Sequence, residues 1–491
     1  MKNNSAFWRI VQVVGFAPML TMTACSLHTA GNQQMAPRLN PSTQLNLAGV
    51  PLSTRLVHPM YRRLLPINLS AVIRIAEANN VDVKKARQEV RLMHGHYASA
   101  IGAALPVLAP AAIFDFNQGA ARATQGQLVT ADFTALTPAA AVQWIINPGQ
   151  VIYNIVAAKK RCTAAKAVAR GSLEHTLSRA ADKYYALILD QVGIAVAFRE
   201  RREAEELVAA AKLRLQTGAG IPVDVDRAEA AFSAARESLL SSLHQFNHDS
   251  VSLAMMLQIN PDITLVPNKK TLEPIVLIRG NIPVGTLMRV AIAWRPVLKQ
   301  VRDLAAAAGA AKSAAIWGDL GPAATAGYQA GGMASRSAGQ ADGLRPFQDG
   351  SIGAGWQLGF STFGDIESAD AAKKIAILNA RQALERVQSQ VVNAMQDRDL
   401  AEKSVPIARQ ELTASERAYK RLKTMYMAGA ANQLEVLQSQ GLLVDARLFY
   451  ARAITHYEQS QINLLTAVGL IDAHTLEPLW REDMAARSDS K

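Results

Sequence analysis

The chain contains the same long unit twice. The segment LRLQTGAGIPVDVDRAEA around Gly218 recurs as YMAGAANQLEVLQSQ around Gly429, at a spacing of 429 − 218 = 211 residues. The start of each half recurs as well, because RIAEANNVDVKKA at 74–86 parallels RVAIAWRPVLKQV at 289–301. Similarity over such a distance indicates a duplicated module rather than the short units of a solenoid. We therefore expect the two halves to form the same structural unit.

The duplication predicts how the 491 residues are divided. The predicted segments are a signal peptide at 1–24, a lipid-anchored extended leader at 25–66, a first repeat at 67–265, a linker at 266–281, a second repeat at 282–470 and a C-terminal tail at 471–491. Each repeat is expected to hold a helix, a strand pair and a long α-hairpin.

The N-terminus has the pattern of an export signal. Lys2 and Arg9 supply positive charge, and the apolar run at 10–20 is shorter than the ~20 residues that a membrane-spanning helix needs. Cys25 follows small residues, which resembles the cleavage box of bacterial lipoproteins, so we predict that Cys25 is lipidated. Cleavage at an ordinary secretory site is the alternative. Ser26 is not acidic, and the resemblance therefore points to the outer membrane.

The composition favours long, closely packed helices. The chain is rich in Ala and Leu, which favour helices, and only 6% of its residues are aromatic. The formal net charge of +12 comes from Lys and Arg that alternate with acidic residues, which indicates solvated helix faces rather than nucleic-acid binding. If Cys25 is lipidated, Cys162 is the one remaining cysteine, and we expect it to be an unpaired packing residue.

Two runs in each half alternate apolar residues with small or polar ones, the period of a β-strand. The runs lie at 107–116, 139–146, 324–331 and 352–361, and the polar loops within the two pairs lie at 117–137 and 333–349. Alternation with a small-residue face suits the strands of a membrane barrel. A pair of soluble hairpins is the alternative.

Helical patterns fill most of the remaining chain. They cover 68–104, 151–216, 223–258, 366–427 and 434–469. A helix of sixty-odd residues is roughly 100 Å long and needs partners along its whole length. Pro406 is expected to kink the helix at 366–427.

These features together resemble the TolC family of outer-membrane efflux and secretion channels. The resemblance is carried by the helix entries at Ala76 and Ala291, the alternating strands at Trp144 and Trp356, and the doubled glycine turns, and it covers about 66–470. It implies a mainly α protein with a membrane β-barrel. Three chains would share one twelve-stranded barrel in the outer membrane and an α-helical barrel in the periplasm. Four strands per chain are too few to close a barrel, which needs at least ~8.

The resemblance also implies a pore constriction near the glycine turns. Glu435 lies six residues after Gly429, at the position of the first constricting acid, whereas Gln438 departs from the acidic pattern at the second position. The same offsets in the first repeat give Asp224 and Arg227. Asp224 and Glu435 are the predicted gate. The alternative is that both acids only complement a helix dipole, at ~0.3–1 kcal/mol each.

The predicted function is passive export without chemistry. Gly218, Gly220 and Gly429 are expected to form the periplasmic tips that contact an adaptor, which in turn serves an inner-membrane pump. No enzyme activity, cofactor, metal or nucleic-acid partner is expected, since GAGWQLG lacks a dinucleotide context and His94 and His96 point to different sides of a helix. The alternatives are a periplasmic adaptor, which would show one hairpin between lipoyl halves, and a scaffold lipoprotein with soluble hairpins.

Overall fold

The computed structural model describes residues 44–47, 50–53, 63–130, 132–269, 272–278, 282–337, 340–356 and 359–471. The predicted signal peptide, Cys25 and the tail beyond 471 lie outside the described residues. The helices are α1 Leu69–Asn79, α2 Val81–Gly102, α3 Pro148–Gln216, α4 Pro222–Leu257, α5 Val284–Trp294, α6 Pro296–Leu320, α7 Thr362–Met427 and α8 Gln433–Val468. The strands are β1 Gln44–Leu47, β2 Val50–Ser53, β3 Arg63–Ile67, β4 Val107–Asn117, β5 Ala120–Arg122, β6 Leu128–Thr130, β7 Phe133–Ile146, β8 Ile263–Pro267, β9 Ala323–Ser337 and β10 Gln340–Gly355.

The long hairpins recur at a constant offset. Helix α3 ends at 216 and α7 ends at 427, which is 211 residues later. Helices α4 and α8 begin at 222 and 433 and end at 257 and 468, again 211 residues apart. The long members α3 and α7 contain 69 and 66 residues. Both α-hairpins therefore have the same turn and the same return length.

The first predicted helix, at 68–104, is in fact two helices. Helix α1 ends at Asn79, and Asn80 adopts an extended conformation with φ −57° and ψ 135°. The side-chain oxygen of Asn80 accepts a hydrogen bond of 2.8 Å from the backbone N–H of Asp82 and so caps α2. The second repeat breaks at Arg295, which precedes Pro296 and is extended for that reason. Periodicity alone misses the first break, because Asn80 interrupts the helix without a proline.

The predicted loops at 117–137 and 333–349 were too long. Strand β10 pairs with β9 from Gln340 opposite Ser337 to Gly355 opposite Ala323, so most of the second predicted loop is strand. Strand β7 already begins at Phe133, and β10 ends at Gly355, before the predicted end of its run. Most described side chains of these segments are exposed, so the segments lack clean alternation, and backbone pairing rather than burial defines the strands.

Helix α7 runs on through Pro406. The missing N–H of Pro406 leaves the carbonyl of Glu402 without its helical partner, and Glu402 is exposed, so water can bond that carbonyl.

The four long strands form one antiparallel sheet in the order β10-β9-β7-β4. Strands β7 and β9 pair from Phe133 opposite Ser337 to Ile146 opposite Ala324, and this pairing joins the two repeats. Strands β4 and β10 are the edges. Every residue of β4 is exposed, and so is Ile352 on β10, at 94%. The sheet therefore has apolar side chains in solvent and two open edges within a single chain.

The long helices lie side by side and share α3 and α7. Near the sheet the neighbours follow the order α2, α3, α6, α7, and toward the glycine turns they follow the order α4, α3, α8, α7. Strands β3 and β8 pair in parallel beside them. The largest buried cluster lies where α1, the middle of α3, the end of α4 and β8 meet. Its members include Ile73, Tyr185, Phe246, Leu253 and Leu265.

Candidate functional site

The two glycine turns have the same hydrogen-bond pattern. The N–H of Ala219 donates to the carbonyl of Arg214 at 2.9 Å, and the N–H of Ala430 donates to the carbonyl of Met425 at 2.8 Å. Gly218 and Gly429 have φ of +75° and +80°, the left-handed conformation that glycine adopts without steric cost. Both long helices thus end in the same C-cap motif, and the chain reverses there.

Gly220 lies in a close approach rather than in a left-handed turn. A Cβ atom on Gly220 would lie 3.0 Å from the backbone nitrogen of Leu215 and 3.1 Å from the carbonyl carbon of Arg214. Glycine therefore lets the chain fold back tightly against the end of α3.

Arg214 connects the first turn to the second. Its Nη1 donates to the carbonyl of Tyr426 at 2.6 Å, and its Nη2 donates to the carbonyl of Ala219 at 3.2 Å. The guanidinium carbon also lies 4.7 Å from the centre of the Tyr426 ring. A second connection runs from Nε2 of Gln433 to the carbonyl of Asp224, at 2.7 Å. The sequence alone does not mark Arg214 or Gln433 as connecting residues, because a lone Arg near a helix end is a common dipole partner.

The predicted constriction residues lie at the start of the returning helices. Asp224 is in the first turn of α4, its side chain is 19% exposed, and Oδ1 lies 3.9 Å from Nη1 of Arg227. Glu435 is in the first turn of α8, is exposed, and forms no ion pair with any described residue. Gln438, one turn further along α8, is also exposed. The structure therefore brings Asp224 and Arg227 together and leaves Glu435 available.

The two helix starts are capped differently. Asn432 caps α8 by accepting a hydrogen bond of 3.2 Å from the N–H of Leu434. The corresponding residue of α4, Ile221, has no side-chain acceptor. Asp224 therefore offsets more of the partial positive charge at the start of α4 than Glu435 offsets at the start of α8, since α8 already has a polar cap.

Further from the glycine turns, ion pairs also join α3 to the two helices of the second hairpin. Glu206 on α3 accepts a hydrogen bond of 2.7 Å from Lys423 on α7, and this charge-assisted contact lowers the pKa of Glu206. Higher up, Glu203 on α3 lies 3.4 Å from Arg199 and 3.5 Å from Arg447 on α8. Burial lowers the pKa of Arg447, although the nearby Glu203 opposes that shift. The two hairpins are thus held together by polar contacts as well as by apolar packing.

The histidines and the cysteine that the sequence singles out show no sign of a metal site in the described part of the chain. His94 and His96 are both exposed on α2. Cys162 is a free, buried thiol, as expected. Within the described part of the chain, no group of three or more acidic, histidine or cysteine side chains could hold a metal ion. None of the helices that the structure describes is long and apolar enough to cross a membrane.

The sequence of the second repeat is similar to a known family. Residues 324–470, from β9 through α8, match the model of the outer membrane efflux protein family. The match covers this part of the chain and shows that it is similar to that family. The predicted resemblance is thereby confirmed, and the matched residues of the efflux protein domain include Glu435, Gln438 and the turn at Gly429.

The fold of the chain is similar to that of solved outer-membrane channels. The Campylobacter jejuni channel CmeC has a TM-score of 0.72 at 15% identity, covering 92% of this chain and 97% of that one. The channel OprN has a TM-score of 0.71 at 16% identity, covering 89% and 98%. The outer membrane protein VceC of Vibrio cholerae has a TM-score of 0.70 at 17% identity, covering 82% and 96%. No curated protein matches the sequence. The efflux protein domain and this fold indicate an outer-membrane efflux channel.

Proposed function

We propose that three copies of this chain form a passive channel that carries substrates from an inner-membrane pump, through a periplasmic adaptor, to the cell exterior. The channel would serve either tripartite efflux or type I secretion. The observation that carries the proposal is the four-stranded sheet, which leaves two edges and many apolar side chains uncovered.

The two edge strands of the sheet are free to pair with strands of another chain. Unpaired edge strands present backbone donors and acceptors that pair readily with another chain. A sheet of four strands is too small to close on itself, because membrane barrels need at least ~8 strands. Three copies would supply 3 × 4 = 12 strands if β4 of one copy pairs with β10 of the next. Closure would also satisfy every edge group inside the bilayer.

The row of helices favours the same assembly. Helix α7 lies at one end of the row, and α2 and α4 lie at the other end. Several apolar side chains of α7 are exposed in the single chain, namely Ile375, Ile377, Leu378, Leu400 and Ile407. Contact between α7 of one copy and α2 and α4 of the next would cover them. One rotation would then close both the sheet and the helical row.

The proposal places the sheet in the outer membrane and the glycine turns in the periplasm. With 69 residues, α3 is about 100 Å long, a suitable length for a periplasmic duct. Lipidation of Cys25 would add membrane affinity of ~0.8 kcal/mol per buried methylene. The turns at Gly218, Gly220 and Gly429 would meet the adaptor, and Asp224 and Glu435 would narrow the opening.

The two rival functions fit the fold less well. A periplasmic adaptor would contain a single hairpin, whereas this chain has two hairpins of equal return length. A soluble scaffold would cover the apolar side chains of its sheet, whereas Leu108, Phe116 and Ile352 are between 69% and 94% exposed here.

Native mass spectrometry of the protein extracted from outer membranes in detergent tests the proposal. We expect a complex of three chains, and the mass of each released chain should equal residues 25–491 plus acyl groups. A monomeric protein would refute the shared channel. A trimer of chains that begin at another residue and carry no lipid would refute only the anchor.

A further inference from the structure

Helix α8 has one narrow exposed face, and its other sides are mostly buried. Exposed residues follow one another at spacings of three, four or seven, which places them on a single stripe. The α8 stripe consists of Glu435, Gln438, Leu442, Asp445, Phe449, Arg452, His456 and Asn463. Most of these side chains are polar, so the stripe has the character of a wetted surface rather than of a helix interface.

The opposite face of α8 holds the linker between the two repeats. Lys269 donates to Oε1 of Glu458 at 2.8 Å, and the N–H of Leu277 donates to Oε1 of Gln461 at 2.6 Å. Because successive helical residues are about 100° apart, Glu458 and Gln461 lie on the side of α8 opposite His456. The linker therefore marks one surface of the helical row, and the α8 stripe marks the other.

This arrangement distinguishes the two surfaces of the row. The linker is an additional layer on one surface, and such a layer would obstruct the bore if the row closed into a tube with that surface inward. Helix α8 is also flanked by α3 and α7 within the same chain, so a neighbouring copy would dock at the ends of the row rather than on α8. The α8 stripe is thus the surface that a closed tube would turn inward.

The charges on the stripe change sign along the helix. Glu435 and Asp445 are acidic, and Arg452 lies 17 residues beyond Glu435, about 26 Å along the axis. Arg452 is exposed and forms no ion pair with any residue that the structure describes. Three copies related by symmetry would hold three guanidinium groups at one level of the bore. Charges in a narrow channel with protein walls act strongly on passing ions.

We propose that the α8 stripe lines the conduction path and that Arg452 forms a basic ring above the acidic opening, which makes Arg452 a selectivity-determining residue. This inference rests on the proposed channel function. The ring would attract anionic groups of a substrate that has passed Glu435 and would repel small cations. The ring would then reduce, without reversing, the cation preference that the acidic opening gives to the channel.

Single-channel recording of the full-length trimer in a salt gradient tests the ring. In Arg452→Gln the cation-to-anion permeability ratio should rise about threefold, because removing the ring removes a barrier to cations. Glu273→Gln is the matched control, since Glu273 is an exposed charge on the linker and should leave the ratio unchanged. Native mass spectrometry verifies that both variants remain trimeric.

Labelling with a charged thiol reagent tests which way the stripe faces. Arg452→Cys should change conductance when the reagent is added, whereas Val276→Cys, exposed on the linker, should not. Cys162 is buried and should not react. If the channels conduct but Arg452→Gln leaves selectivity unchanged, Arg452 does not form the ring. If only Val276→Cys responds to the reagent, the stripe faces outward. Either result shows that this inference is wrong while the channel stands. If the unsubstituted trimer does not conduct, the channel function fails and the inference fails with it.

Discussion

The two acidic residues of the tips differ in their surroundings. Asp224 is largely covered and lies near Arg227, which offsets part of its charge. Glu435 is exposed, and among the described residues it has no ion-pair partner. Both acids occupy a first helical turn, so each also complements a helix dipole. If these acids form the proposed gate, Glu435 would therefore contribute more to it than Asp224.

The first prediction compares the two acids directly. Glu435→Gln should lower the cation selectivity of single channels more than Asp224→Asn does, because the free carboxylate has the larger effect on nearby ions. Gln438→Glu is the reciprocal variant, and it should raise cation selectivity by adding an acid one turn further along α8. Unchanged selectivity in all three variants would mean that the acids only stabilise their helices, at ~0.3–1 kcal/mol each.

A second prediction concerns a carboxyl pair between α3 and α4. Burial, together with the hydrogen bond and charge of Asp249, raises the pKa of Asp190 from 3.8 to about 7. Asp249 is held by Nε2 of Gln245 at 3.1 Å and lies 3.0 Å from Nδ1 of His248. Since the folded state keeps the proton of Asp190 at a pH where the unfolded state has lost it, stability should fall as pH rises from about 4 to about 7.

Asp190→Asn tests this pH dependence. The amide can donate to Asp249 at any pH, so the drop in thermal midpoint between pH 5 and pH 8 should be smaller in this variant than in the original protein. Asp262→Asn removes an exposed carboxylate before β8 and should leave the drop unchanged. An identical drop in Asp190→Asn would show that the pair does not titrate in this range.

Among the helices, strands and turns, the sequence predicts those that a short sequence pattern marks. The turns at Gly218 and Gly429 are visible because a left-handed C-cap favours glycine, and the long helices are visible from their periodicity. The break at Asn80 is not visible because no proline marks it, and the strand at 340–349 is not visible because it lacks a buried alternating face. The pairing of β7 with β9 is also hidden, because alternation marks a strand without naming its partner.

A third prediction tests the glycine turns. Nothing lies within 4 Å of a Cβ atom built on Gly218 or Gly429, so substitution there would strain φ rather than create a clash. A left-handed conformation costs an ordinary residue roughly 1–2 kcal/mol, and a β-branched residue tolerates it poorly. The double variant Gly218→Val with Gly429→Val should remain trimeric yet lose export and adaptor binding.

Gly441→Ala is the control for that variant. Gly441 is exposed inside α8 with open space around it, so the alanine should raise stability by about 0.5–1 kcal/mol and leave export intact. Normal export by the double valine variant would show that the conformation of the turns is not needed for the proposed adaptor contact.

A fourth prediction concerns the contact between the hairpins. Arg214→Leu removes the hydrogen bonds to Tyr426 and Ala219 but keeps an aliphatic side chain. We expect faster amide exchange in both turns and a larger single-channel conductance, since the two turns would separate more readily. Lys212→Leu is the matched control, because Lys212 pairs with Glu229 within one hairpin. Equal exchange and conductance in the two variants would show that Arg214 does not hold the turns together.

At the scale of the whole molecule, the single chain leaves several of its surfaces uncovered. Its sheet has two open edges, its helical row has two open ends, and apolar side chains of β4, β10 and α7 remain in solvent. The duplication in the sequence predicts the two similar halves, but it does not reveal how copies of the chain associate. Association depends on surfaces that only the folded sheet and helices define.

Recording of the purified, detergent-extracted protein in planar lipid bilayers determines whether three copies of the chain form a channel. The trimer should produce discrete, small, cation-preferring conductance steps, and the same preparation dissociated by heat should produce none. Verified trimers that enter the bilayer and carry no current, or single chains that produce the same steps, would show that the proposed channel does not exist.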